Sequence, residues 1–521
     1  MSILKPGLLA LVVACFAIIR WRRSRLPLPP GPERWPIIGN VADMPSVRPW
    51  ETYREWFTKH NSDVIFLDLP LQPTVILGSV EVAVDLLEKR SHLYSDRKQS
   101  VMQYLMGWGF NFAAMPYSQR WRAHRRMFHQ HFHQGVVGKY RPVQLQQTRR
   151  FLSWILDSPQ HTRKHIRHFV TSAIFAVTYG KQISGMDDEY VVIAHTAATG
   201  GNMLGVPGAF WIEYVPFLKW MPSWVPGATF KKVAEEYLPW VTQSKERGYN
   251  DVKAANLNGT PRPSVANTML ENIRSKYGGT DEEAYYEDIA KGVTGMAYVA
   301  GADTTTSAIE SFLLAMALFP EVQKQAQAEL DRVVGPSRLP EYEDLPNMPY
   351  LCAVMMEVMR WMPVLAFGFP HAVTDDDVYQ GYRIPKGAMI VPNHWAMLHN
   401  PEDYPEPEQF KPERYLNQNG DIDPSVRDPN TIAFGFGRRI CPGRHFSNNT
   451  LAICIASTLH VFNISAGTDS SGNPVALTTE MTGTLVAVPK DVPCGLTPRS
   501  EIAARLVREA VVDLGEVLSQ G

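Results

Sequence analysis

The chain has 521 residues, of which 45% are hydrophobic, and its 51 basic side chains almost balance its 52 acidic ones. This balance gives no electrostatic support for a nucleic-acid partner, and five scattered cysteines without a Cys-x-x-Cys pair argue against a disulfide framework or a structural zinc site. The length would allow several domains, but the one linker-like stretch, 257–263, is short, so we expect a single large domain.

The first 25 residues are predicted to be a membrane anchor with a basic stop. Residues 7–19 are uninterrupted apolar, a short run compared with the roughly 20 residues of a typical span. Four arginines follow between positions 20 and 25, and positive charge after a first span favours keeping that side in the cytosol. The alternative is a cleaved signal peptide, although in such peptides the charge normally precedes the apolar core.

A proline-rich segment, residues 26–36, comes next and reads as a stiff hinge, because proline fixes extended backbone and prevents helix. The apolar patterns of residues 37–521 predict a body that is mainly α with a small β portion. The segments with strand-like patterns are 64–69, 74–77, 382–385, 389–391 and 484–489. Those with helical patterns include 80–87, 143–155, 285–319, 321–334, 350–361 and 501–518, the last with Ile502, Leu506 and Ala510 on its predicted packing face.

Aromatic residues and prolines are interleaved between positions 206 and 230. The prolines would interrupt any helix there. One interpretation is a loop packed against the core, and the other is an aromatic lid that touches a membrane and admits an apolar substrate.

The segment 434–443, FGFGRRICPG, contains the one cysteine whose surroundings suggest chemistry. A lone cysteine is usually a small buried hydrophobe. Here, glycines let the backbone pass close to a bulky planar ligand, and the amides at the start of a helix beginning near Arg444 favour a thiolate.

This segment resembles the haem-binding signature of the cytochrome P-450 family, Phe-x-x-Gly-x-Arg-x-Cys-x-Gly. The fixed positions are met by Phe434, Gly437, Arg439, Cys441 and Gly443. The resemblance implies haem b as the cofactor and the cytochrome P-450 fold, with Cys441 as the axial ligand of the iron, Phe434 packed near the sulfur and Arg439 paired with a haem propionate. A thiolate suits oxygenation because its electron donation favours O–O cleavage.

Three further matches occur in the family's order before the cysteine. Glu357 and Arg360 stand one helical turn apart, a spacing that is common in surface pairs, but Arg414 follows in a Pro-x-Arg segment. The resemblance implies that these three side chains form a buried charge network, which should be costly to break from one side.

The stretch 300–306, AGADTTT, falls in the middle of the long predicted helix, where Asp and Thr are locally unfavourable. It could be a polar solvent face. The resemblance instead implies that this helix crosses the haem, that Ala300 leaves room for dioxygen, and that Asp303 and Thr304 conduct protons to it.

The segment WRAHRR, 121–126, could likewise be a solvated basic helix face. The resemblance implies that Trp121 and Arg125 reach the haem propionates, with Arg97 and His371 as further partners, since buried carboxylates need such donors.

The resemblance covers nearly the whole chain. The anchor and the style of the aromatic, proline-rich segment look like those of microsomal fungal members. The resemblance implies that residues 37–521 are the catalytic domain of an endoplasmic reticulum monooxygenase, with its body in the cytosol, that inserts one oxygen atom of dioxygen into an apolar small molecule. Electrons would come from NADPH through a separate cytochrome P-450 reductase, with cytochrome b5 as an optional second donor, because the chain has no Gly-x-Gly-x-x-Gly fingerprint after a strand. The alternatives are a haem-thiolate isomerase, dehydratase or peroxygenase on the same scaffold, or a haem-binding protein without catalysis.

Overall fold

The computed structural model describes residues 26–45, 47–185, 187–204, 210–213, 216–222, 225, 228–469 and 471–519. The predicted anchor, residues 1–25, lies outside the described residues. Within the described ranges, none of the helices combines the length and apolar character needed to cross a membrane.

The described residues are mainly helical, as predicted. The helices are α1 (Pro49–His60), α2 (Val80–Ala83), α3 (Ser91–Tyr94), α4 (Val101–Leu105), α5 (Gln119–Phe132), α6 (Gln134–Val137), α7 (Arg141–Asp157), α8 (Thr162–Tyr179), α9 (Glu189–Met203), α10 (Thr229–Leu257), α11 (Val265–Tyr277), α12 (Asp281–Leu318), α13 (Pro320–Val333), α14 (Pro349–Trp361), α15 (His394–Leu398), α16 (Asn430–Ala433), α17 (Arg444–Val461) and α18 (Glu501–Ser519). The strands are β1 (Val64–Leu67), β2 (Thr74–Leu77), β3 (His371–Ala372), β4 (Asp377–Tyr379), β5 (Tyr382–Ile384), β6 (Met389–Pro392), β7 (Phe462–Ala466) and β8 (Cys494–Pro498).

The strands form a small β portion beside the helices. One four-stranded sheet has the order β1-β2-β6-β3, in which β1 and β2 are antiparallel and β2 runs parallel to β6. The parallel pairing joins strands more than 300 residues apart, so most of the helical body lies within this crossover. The pairs β4–β5 and β7–β8 are separate antiparallel ribbons.

Helix α12 is the centre of the molecule. It has 38 residues and is buried on all sides from Gly292 to Val299 and again from Thr305 to Met316, which is expected only of a helix surrounded by others. One large apolar cluster contains its first half together with residues of α5, α9 and α10. A second contains its last turns together with residues of α7, α14 and α17.

One local prediction was wrong, and two others were correct in type but differ in detail. The segment 484–489 is not a strand, because its backbone bonds elsewhere: Ala487 N donates to Val364 O (2.8 Å) and Ala487 O accepts from Ser307 Oγ (2.6 Å). The predicted helix 80–87 forms, but only Val80–Ala83 is α-helical and the rest belongs to a π-helical turn, Val84–Lys89. Helix α18 forms and packs on the body as predicted, with Leu506 and Ala510 partly buried against the second apolar cluster, but Ile502 is exposed and Val507 is fully buried.

The aromatic segment combines features of both interpretations. Ile212 and Phe230 are buried in the apolar cluster, as a core-packed loop requires. Trp220 is 79% exposed, as a surface lid requires.

Candidate active site

The cysteine loop joins a short 3-10 turn, Gly437–Arg439, to the first turn of α17. Cys441 N donates to Phe434 O (2.8 Å), which closes the loop. Gly437 has φ +55°, and a Cβ there would lie 2.3 Å from Leu87 O, so only glycine allows the loop to approach the preceding π-helical turn this closely. The family's glycine at this position therefore has a direct steric reason.

The Cys441 thiol is subject to opposing influences. Burial raises its pKa, while the backbone N–H groups of Gly443 and Arg444 and the charges of Arg125 and Arg444 lower it. The helix start acts in the direction predicted from the sequence, but burial outweighs it. A buried thiol of this kind ionises when a cation binds its sulfur, which is what iron would do.

A cluster of basic side chains, buried or half-buried, lies close to the cysteine loop. Arg97 donates to the carbonyls of Ala113 (3.0 Å), Phe369 (2.7 Å) and Pro370 (2.7 Å), and burial lowers its pKa well below the usual value. The positive charge of Arg439 lowers the pKa of Arg97 further.

Arg439 is likewise a cation that donates to backbone carbonyls, although it is only half-buried. It donates to the carbonyls of Ser95 (2.7 Å) and Met115 (2.8 Å), and its guanidinium lies 4.2 Å from the centre of the Trp121 ring. Burial lowers its pKa to about 10. Trp121 therefore holds Arg439 in place through its ring face.

His371 and Arg125 complete the cluster. Burial lowers the pKa of both, and in His371 the charge of Arg97 adds to the effect. His371 Nδ1 lies 2.7 Å from Tyr94 O.

These residues fit the haem that the resemblance implies. Among the described residues, no carboxylate lies within ion-pair distance of Arg97, Arg125 or Arg439, and the charge of Asp96 offsets burial only partly for Arg97 and Arg439. The two propionates of a haem would supply the remaining negative charge, and Arg97, Arg125, Arg439 and His371 are the groups that would hold them.

At its midpoint, helix α12 changes from fully buried residues to accessible ones. Ala300 is exposed, whereas the eight residues before it are buried, so the helix borders an internal space there. Thr304, one turn later, is partly buried, and its Oγ1 donates to Ala300 O (2.9 Å), which satisfies the hydroxyl within the helix. Thr305 instead contacts Ser447 of α17 (Oγ1 to Oγ 3.2 Å) and ties α12 to the helix that follows the cysteine.

Asp303 is the acid of this stretch. Burial raises its pKa to about 6, the charge of Arg167 and a hydrogen bond from Asn202 lower it, and the charge of Glu310 raises it. The motif identified Asp303 but not Arg167 or Asn202, which lie on α8 and α9 and carry no local signal in the sequence.

The three residues of the predicted charge network come together. Glu357 and Arg360 are fully buried and doubly bonded, from Arg360 Nε to Oε2 and from Nη2 to Oε1, both at 2.8 Å. Arg414 Nε also donates to the Glu357 carboxylate (3.2 Å). Lys411 N (2.8 Å) and Tyr415 OH (3.1 Å) add two donors that the motif did not predict.

Comparison with known proteins agrees with this geometry. The family model described as Cytochrome P450 matches residues 29–489. Cytochrome P450 monooxygenase ple1 of Rhodocybe pseudopiperita is 40% identical over 94% of this chain and 92% of its own length. Cytochrome P450 monooxygenase COX2 of Coprinopsis cinerea is 39% identical over 97% and 95%. Tryptamine 4-monooxygenase of Psilocybe cyanescens is 37% identical over 92% and 94%.

The motifs, the fold and these relatives agree over most of the chain. Members of this family carry haem, use a redox partner and dioxygen, and act on small molecules. The chain belongs to the cytochrome P-450 monooxygenase family.

Proposed function

We propose that this enzyme inserts one oxygen atom of dioxygen into an apolar small molecule at a haem b held by Cys441. The observation that carries the proposal is the acid–alcohol pair Asp303 and Thr304, which lies within one turn of Ala300, the exposed residue that follows the buried run 292–299. Haem b would supply the activation of dioxygen, assisted by electron donation from the cysteine sulfur.

The side chains of α12 have the properties that proton delivery requires. The pKa of Asp303, about 6, lets the carboxyl group take up and release protons near neutral pH. Thr304 Oγ1 can rotate from Ala300 O towards the internal space and pass a proton on. Apolar surroundings on α4 and the first half of α12 suit an apolar substrate and exclude bulk water.

The basic surface beside the cysteine loop supports the proposal that electrons come from NADPH through a separate flavoprotein reductase. Helix α5 contains no acidic residue, and Arg122 and Arg126 are exposed on it. Arg438 is exposed on the cysteine loop. An acidic partner, the reductase or cytochrome b5, would be steered to this surface.

Three features support a body attached to the cytosolic face of the endoplasmic reticulum by residues 1–25. The hinge is fastened to the sheet region, since Pro30 O accepts from Phe66 N and Pro27 O from Arg383 N, both at 2.8 Å. Apolar side chains close to the hinge are exposed, with Ile37 at 99% and Leu71 at 79%. The third feature is the apolar run followed by arginines that precedes the hinge.

The first experiment is the difference spectrum of the reduced protein with carbon monoxide. A strongly red-shifted Soret band that disappears in Cys441→Ser would support thiolate ligation. Haem without that shift would contradict the proposed ligand.

The second experiment tests the reaction itself, with Thr304→Ala and the matched control Thr306→Ala. Thr306 lies on another face of α12 and bonds to Ala302 O (2.8 Å). We expect Thr304→Ala to release more hydrogen peroxide per NADPH and the control to behave as wild type. Unchanged product yield in Thr304→Ala would contradict the proton relay and favour an isomerase, dehydratase or peroxygenase.

A further inference from the structure

Only one of the two ring nitrogens of His371 is hydrogen-bonded within the described part of the chain. Its Nδ1 lies 2.7 Å from the backbone oxygen of Tyr94. Because a carbonyl oxygen can only accept, Nδ1 must carry a hydrogen, and the neutral imidazole then has a bare lone pair on Nε2. In its neutral form, His371 can therefore accept a hydrogen bond at Nε2 but cannot donate one.

Other contacts hold both partners of this bond in place. His371 lies in β3, which pairs with β6. Tyr94 is fully buried, and its hydroxyl donates to the Asp377 carboxylate (2.8 Å), which also accepts from Arg90 Nη1 (2.7 Å). These contacts keep the Tyr94 carbonyl beside the ring, so the tautomer with the hydrogen on Nδ1 is the favoured one.

The protein's own groups oppose a second proton on His371. Burial lowers its pKa well below the usual value, the charge of Arg97 lowers the pKa further, and Arg439 and His394 act in the same direction. The bond at Nδ1 raises the pKa but does not offset these effects. The negative charge of Asp96 acts on the two arginines, whose own pKa values it raises. Without a further anion, the imidazole is therefore neutral.

A haem propionate would change this balance. Carboxylates of this type are ionised in water above about pH 5, and the charges of Arg97 and Arg439 favour the ionised form. An ionised carboxylate can only accept hydrogen bonds, so the lone pair on His371 Nε2 would repel it. One added proton turns this repulsion into a charge-assisted hydrogen bond.

We propose that this enzyme takes up one proton from solvent when it binds haem and holds that proton on Nε2 of His371, between the ring and a propionate. This inference rests on the proposed function, because it requires the haem that Cys441 binds. The proton is present in the haem-loaded protein and absent from the haem-free one. Haem affinity therefore falls as the pH rises towards the value at which the loaded protein releases the proton.

The experiment measures how fast the ferric holoenzyme loses haem to excess apomyoglobin between about pH 6 and pH 8, in wild type, His371→Gln and His399→Gln. His371→Gln keeps a neutral donor near the position of Nε2 and removes the titratable ring. His399→Gln is the matched control. His399 is also buried, and its Nδ1 lies 2.9 Å from the carbonyl oxygen of Trp395, but it lies close to Arg360 instead of the propionate-binding cluster.

We expect the ratio of the wild-type rate of haem loss to the His371→Gln rate to rise at least about fivefold from pH 6 to pH 8, with about a hundredfold as the ceiling for one proton. Ionisation of Cys441 affects both proteins alike and cancels in this ratio. The ratio of wild type to His399→Gln should not change with pH. A smaller rise with His371→Gln, or an equal rise with His399→Gln, would overturn the proposal.

A second measurement needs no substitution. The wild-type chain is loaded with the dimethyl ester of haem, which has no ionisable propionate, and should show the weaker pH dependence of His371→Gln. Ester-loaded protein with the full wild-type dependence would contradict a proton shared with a propionate. Failure of the proposed function would look different, since the wild-type protein would then bind no haem or lack the red-shifted Soret band with carbon monoxide.

Discussion

Two Glu-x-x-Arg pairs in this chain have the same spacing and opposite surroundings, which allows a matched test. Arg360 is fully buried and doubly bonded to Glu357, whereas Arg332 is 67% exposed and lies 3.8 Å from Glu329. Arg360→Ala leaves the Glu357 carboxylate buried with a smaller set of donors, and breaking a buried pair from one side costs about 3–5 kcal/mol. Arg332→Ala removes an exposed arginine whose long contact with Glu329 is worth about 0–1 kcal/mol, and Glu329 still accepts from the amides of Tyr350 and Leu351.

The free energy of unfolding of both variants is measured by urea titration, followed by tryptophan fluorescence and by circular dichroism to verify that the two transitions coincide. We expect Arg360→Ala to lose at least about 2 kcal/mol more than Arg332→Ala. Equal losses would refute the reasoning, because they would mean that burial of the pair adds nothing to its contribution. The double variant Glu357→Leu, Arg360→Met should lose less than the sum of the single changes, since it leaves no unpaired charge at these two positions.

Three further predictions follow from groups outside this network. Burial raises the pKa of Asp303 to about 6 in the folded state. Ionising this carboxyl group therefore destabilises the folded state, and this destabilisation is absent below the unfolded pKa near 4 and complete above about pH 6. Asp303→Asn should therefore raise the free energy of unfolding by about 1–3 kcal/mol at pH 8 and not at pH 4, in urea titrations. Replacing Arg122 and Arg126 with glutamate should slow reduction by the reductase about tenfold at low salt and far less at high salt, and an equal loss at both would contradict electrostatic docking. Asn258 lies exposed in an Asn-x-Thr sequence, so a cytosolic body should show no endoglycosidase-sensitive shift in electrophoresis, and a shift would contradict the proposed topology.

The elements that the sequence predicted well have local signals. Helix α12 was predicted from its apolar periodicity to within a few residues at each end. The cysteine loop was predicted from fixed positions close together in the chain, and the steric need for Gly437 accounts for one of them. For α12 the physical requirement is met by residues within one element, whereas Gly437 is required by its contact with Leu87, and only its fixed place in the motif made it recognisable in the sequence.

The features that the sequence did not predict depend on contacts between distant segments. Arg167 and Asn202 influence Asp303 from two other helices, and nothing near them in the chain marks that role. Glu213 bonds to the start of α4 from more than 100 residues away. The packing face of α18 shows the same effect: Leu506 and Ala510 pack on the body as the apolar pattern predicts, but Ile502 is exposed and Val507 is buried.

Two buried arginines, Arg360 and Arg97, differ in whether a carboxylate of the protein pairs with them. This difference separates a stabilising role from a binding role. Arg360 and Arg97 are both almost fully buried, and burial lowers the pKa of each. In Arg360 the bonds and charge of Glu357 more than offset burial, so its charge is compensated within the protein. Arg97 donates its hydrogen bonds to carbonyls and forms no ion pair among the described residues, and the negative charge of Asp96 only partly offsets its burial and the nearby positive charge of Arg439. Such an arrangement costs stability and is retained where an acidic ligand completes it, which is why Arg97 and Arg439 point to the haem propionates and Arg360 does not.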